Sequence, residues 1–116
     1  MHLHWPLLFN LICWITTVTV EFVTNLMWSS TNEMGVRLFL QQHGFKEFYV
    51  YECVLSEYNE TLPFIVFLCQ EKNWMLLKLK YQDINDAIKQ FVFNNRRLLY
   101  QMKINQLYEQ VESDDA

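Results

Sequence analysis

Three cysteines, three histidines and thirteen Asp and Glu residues are the side chains with which this 116-residue chain could do chemistry. Cys13, Cys53 and Cys69 lack both metal-ligand spacing and the clustered histidines that zinc sites use, so no metal centre is expected. His43 has no second histidine or carboxylate placed to help it, which makes a packed or solvent-edge histidine the expectation. Glu47, Glu52 and Glu57 are the candidate acids and bases nearby. Strand parity sends Glu52 to one face and its two neighbours to the other, so no nucleophile, base and oxyanion donor assemble. With Gly35 and Gly44 as the only glycines there is no phosphate-cradling loop, and neither a Gly-x-Ser-x-Gly nor a His-Glu-x-x-His pattern occurs. The sequence therefore assigns no catalytic residue, cofactor or metal ligand.

The elements that would position these groups belong to one small folded domain spanning residues 1–116. Hydrophobic residues make up 52% of the chain, aromatics 16% and charged residues 19%, a composition that excludes disorder over most of the length. The formal net charge of −4 argues against a nucleic-acid footprint, because phosphate binding needs concentrated Lys and Arg.

Residues 1–24 form an apolar N-terminal segment, and between Leu3 and Val23 only His4, Asn10 and Glu21 are strongly polar. Three readings compete. A cleaved signal is disfavoured because no Lys or Arg precedes the apolar run and no Ala or Gly occurs before Gly35. A membrane anchor across residues 3–23 is interrupted by Pro6 and Asn10 and must carry Glu21 into lipid, at about 2.5 to 3.5 kcal/mol if the carboxylate lies near the bilayer centre. The favoured reading is a core strand, since Val18, Val20 and Phe22 alternate with Thr17, Thr19 and Glu21.

Downstream, Ser30-Thr31-Asn32-Glu33 has capping-box spacing and starts a helix near Thr31, with Val36, Phe39, Leu40 and His43 on one face and Gly44 at its end. Three strand-like runs follow, Phe45 to Tyr58, Phe64 to Glu71 and Trp74 to Tyr81, which read as an antiparallel meander. A loop centred on Thr61 sets Cys53 opposite Cys69 and makes Tyr49, Tyr51, Cys53 and Leu55 part of the core face. The second face then carries Val54 and Val66 among its apolar residues and needs a cover, from the N-terminal segment or a partner.

That register brings Cys53 and Cys69 within conceivable reach of a disulfide, although two reduced core thiols are the preferred reading. Asn59-Glu60-Thr61 is a glycosylation sequon at the loop tip and, like a disulfide, would imply an oxidising compartment. Asp83 caps a long C-terminal helix that begins Ile84, Ala87, Ile88, Phe91 on one face and lies on the sheet. Ile104, Leu107, Tyr108 and Val111 repeat this spacing twenty positions on, roughly 200° around the axis. Either the helix breaks at Asn94-Asn95 or this stripe meets another molecule. Residues 113–116 close the chain as an acidic fray.

The expected fold is α+β: N-terminal strand and helix, a three-stranded antiparallel meander, and a long C-terminal helix packed on the sheet. The expected function is a non-enzymatic interaction subunit of a homodimer or larger complex, soluble and intracellular. Its partner surface would comprise Ile104, Leu107, Tyr108, Val111, Val54 and Val66. The alternative is a small secreted or membrane-anchored protein glycosylated at Asn59.

Overall fold

β-branched and aromatic residues are frequent in three stretches of the computed structural model, which describes residues 18–57 and 60–115, and all three are strands as their side chains favour. Strand β1 spans Thr19–Met27, helix α1 Ser30–Gln42, strands β2 and β3 Phe48–Glu57 and Glu60–Gln70, and helices α2, α3 and α4 Glu71–Lys80, Ile84–Asn94 and Arg96–Asp115. The three strands form one antiparallel sheet in the order β1-β3-β2, and the helices pack on one face of it or on each other. This is a single small α+β domain.

The expected class, the N-terminal strand and the helix after it all match. The third strand does not: it is β1, while Trp74–Tyr81 belongs to helix α2. Met75, Leu77, Leu79 and Tyr81 alternate as a strand would, yet Trp74, Leu77 and Tyr81 also fall on one helical face. Of these two patterns the helical one is buried: Leu77 is in the core, Trp74 and Tyr81 pack against it, and Leu79 is exposed. Glu71 through Tyr81 contains no β-branched residue, Glu71 opposes the positive end of the helix dipole, and Lys78 and Lys80 oppose the negative end.

The β2–β3 register also departs from expectation. Glu57 pairs with Glu60 and Cys53 with Phe64, so only Tyr58 and Asn59, which lie outside the described residues, connect the strands. Pro63 falls between the two runs expected as strands, where a loop is expected; instead it pairs with Val54 inside β3. Its carbonyl accepts from Trp28 N at 2.9 Å, on the side where β1 has ended. A residue's N–H and C=O point the same way in a strand, so the missing donor takes no rung from β2. The shift by an odd number of residues turns β2 over: Phe48, Val50, Ile65, Phe67 and Cys69 face the helices, and Tyr49, Tyr51 and Cys53 face away.

In β1, Val20 and Phe22 pair with Cys69 and Phe67. A register shift between Val23 and Met27 accommodates the buried Thr24, whose hydroxyl donates to Ile65 O at 2.7 Å and accepts from Leu26 N at 3.2 Å. Helix α1 begins one residue before the expected point, because Ser29 rather than Ser30 accepts from Asn32 N, at 3.0 Å. Asp83 caps α3 as expected, accepting from Asp86 N at 3.1 Å. The long C-terminal helix is interrupted at Asn95, whose side chain donates to Phe91 O at 2.8 Å. Helix α4 then continues through Asp115, into the segment expected to fray. It packs on α1 and α3 through Leu99 and Met102.

Gly35 of α1 lies tight against α3 and α4: an added Cβ would lie 2.8 Å from Val92 Cγ2 and 3.1 Å from Leu99 Cδ1. Gly35→Ala gains about 1 kcal/mol of helix propensity but forces a stiff β-branched neighbour to move, so a net loss of about 1 kcal/mol is expected in urea melts. A net gain would show that α3 and α4 can back away freely. Phe67→Ala and Leu77→Ala should each lose about 2 to 5 kcal/mol, and exposed Glu60→Ala less than about 0.5 kcal/mol. Similar small losses from all three would contradict the core described above.

Candidate functional site

The titratable side chains are drawn into structural contacts. His43 follows α1, and its Nδ1 lies 2.7 Å from Phe39 O, a carbonyl that can only accept. Nδ1 therefore carries the proton, leaving Nε2 to accept from the Tyr81 hydroxyl at 2.6 Å in the neutral ring. The histidine stitches the end of α1 to the segment between α2 and α3, with Phe39 and Tyr81 rings 4.3 and 5.4 Å from its own. Glu47 accepts from Gln70 Nε2 at 2.8 Å, and Glu52 is exposed on β2. Among the described residues, no three His, Cys, Asp or Glu side chains gather as a metal site would require. Nor does any buried side-chain donor or acceptor there lack a partner.

Cys53 and Cys69 are free thiols, and the disulfide considered for them is corrected by the register. Cys69 pairs with Phe48 on the helix-covered face, whereas Cys53 pairs with Phe64 on the other. Burial pushes the Cys69 thiol up to about 11. Across the sheet Tyr51 is raised above its ordinary value by burial first, and then by the charge and hydrogen bonding of Glu21. Cys13 and Asn59 lie outside the described residues, as does the N-terminal segment before Val18, whereas Glu60 and Thr61 of the sequon belong to β3. Of the proposed 3–23 span, the part from Thr19 onward is strand β1. No helix among the described residues is long and apolar enough to cross a membrane.

Val54 and Val66, expected to share one face, are on opposite faces because β2 is turned over. Val54 is 57% exposed near the end of the hairpin, while Val66 is 0% exposed between Val23 and Tyr51 and has no surface to offer a partner. The outward face of the sheet carries Val23, Tyr49, Tyr51, Cys53, Phe64 and Leu68, and none of the described helices covers it.

Helix α4 presents the clearest surface. Leu99 is fully buried and Met102 half-buried, but every residue from Ile104 to Glu112 is exposed. Ile104, Leu107, Tyr108 and Val111 lie along one face with 44% to 67% of their surface accessible. Tyr100 extends this stripe by one turn, a residue overlooked although it stands four positions before Ile104. At 100° per residue the stripe is centred about 120° around the axis from Leu99, so it cannot reach the core that holds the helix. The helix is 20 residues and about 30 Å long, and more than half of it extends past its last packed turn.

Comparison of the chain with protein families, with curated proteins and with solved structures returned no match.

The folded chain holds the Cys69 proton more tightly than the unfolded chain. Its contribution to stability is therefore complete below about pH 9 and is lost as pH rises through about 11. Urea midpoints should fall over that window, and the fall should be shallower in Cys69→Ala, which is less stable throughout. Parallel declines in the two proteins would assign the pH dependence elsewhere.

Proposed function

We propose that this chain is a non-enzymatic interaction subunit whose helix α4 joins it to another protein. One observation carries this reading: an apolar stripe on a helix anchored at one end only, turned away from its own core. Apolar side chains repeating at i, i+3, i+4 and i+7 on a free helix are the anchors used when a helix lies in a groove or against another helix. Single exposed hydrophobic residues are ordinary on protein surfaces, but here Tyr100, Ile104, Leu107, Tyr108 and Val111 are contiguous. The exposed Val54 lies on the separate β2–β3 hairpin and is a secondary contact in this reading.

Leu107→Asp combined with Val111→Asp tests the proposal, since neither side chain contributes to the core. The pair should change the unfolding free energy of the monomer by less than about 0.5 kcal/mol per site while removing association measured by sedimentation. A loss of several kcal/mol without any change in association would mean that the stripe is packed within the monomer, and the reading would fail.

A further inference from the structure

Helix α4 carries a second pattern, in charge, that says which partner its stripe fits, an inference that rests on the stripe being an interface. Tyr100, Ile104, Leu107 and Val111 are spaced by four, three and four residues, the alternation that keeps a seam turned toward one partner helix. Arg97 stands near the start of this seam and Glu112 near its end. Both are exposed, and neither makes an ion pair among the described residues. At 100° per residue they lie on the same flank, roughly 50° and 110° from the seam's centre. They are about 22 Å apart along the axis.

Those positions decide between the two ways of laying one copy of α4 on another. Side by side in the same direction, Arg97 would sit level with Arg97 and Glu112 level with Glu112, and no ion pair could form across the seam. In opposite directions, a twofold axis between residues 105 and 106 brings each flank against its own counterpart. Ile104 of each copy then meets Leu107 of the other, Tyr100 meets Val111, and Glu112, level with Leu99 of the other copy, comes twice within two residues, about 3 Å along the axis, of Arg97. The reversed arrangement also sets opposite helix-dipole ends together. We propose that two copies of this chain pair through α4 in opposite directions, with Ile104 and Leu107 at the centre and reciprocal Arg97–Glu112 ion pairs on the flanks. A seam of two heptads falls below the area of stable dimers, so the association is weak and concentration-dependent.

Sedimentation equilibrium of the full chain at low salt, over about 1 µM to 1 mM, should show a monomer–dimer equilibrium that weakens as salt is added. Arg97→Glu and Glu112→Arg should each weaken the dimer by about fivefold or more, and the double variant should recover it to within about twofold. Both single reversals improve the match of charge to the helix dipole, so a lost dimer is not a lost helix, and circular dichroism on each variant checks this. A chain that stays monomeric throughout overturns the pairing, as does a double variant that fails to recover. If Leu107→Asp with Val111→Asp abolishes the dimer but the charge reversals do nothing, the reversed pairing alone falls. If that aspartate variant still dimerises, the stripe is no interface and the functional reading falls with it.

Discussion

Strand β3 is bonded on both edges, and the rest of the architecture follows from that. Between β1 and β2 its backbone has few free polar groups, so Ile65, Val66, Phe67 and Cys69 can all be buried without stranding a donor or acceptor. Phe67 is its hub, with the Phe22 ring 5.2 Å and the Trp74 ring 6.4 Å away. Helix α2 begins at the residue after β3 ends, and Glu71 N donates to Val18 O at 2.9 Å, so the sheet itself fixes where that helix starts. Helices α1 and α3 then close the layer through Phe39 and Phe91, whose rings are 5.5 Å apart.

Signals that act over a few residues were legible in the sequence. The alternation at Val18 to Phe22, the cap at Asp83, the stop at Gly44 with φ of 83° and the apolar face of α1 all depend on neighbours in the chain, and all are present. What was misread depends on distant segments. The period of Met75 to Tyr81 fits strand and helix alike, and the third place in the sheet goes to β1, which is separated from its partner strand by α1 and β2. Pro63 signals a loop unless one knows that its donor side faces the place where β1 stops. That single misplacement shifted the hairpin by an odd number of residues, exchanged the faces of β2, and carried Cys53 and Val54 with it.

The surface was legible in a similarly uneven way. The displaced stripe of α4 could be read from spacing alone, because helix geometry fixes the angle between Leu99 and Leu107 whatever surrounds them. Val66, which is fully buried, could not be placed from its own sequence neighbourhood, since the residues that flank it in the sheet, Val23 and Tyr51, belong to other strands. An interruption at Asn95 and an exposed stripe on α4 read as alternatives in the sequence, yet both occur: the helix is interrupted at Asn95, and Leu99, one turn later, is buried in the core.

The sheet order sets a timetable for synthesis. The hairpin β2–β3 closes through neighbouring residues, whereas Val20 must find Cys69, forty-nine positions further along. At about 5 to 20 residues per second, the ribosome releases β1 roughly 2 to 10 s before the last of its partner strand exists. Throughout that interval Val20 and Phe22 have no strand to join, and Trp74, which later covers Phe22, is younger still. The nascent chain thus exposes an apolar edge for longer than its folded size suggests, and the interval is set by strand order rather than by how tightly the finished core packs.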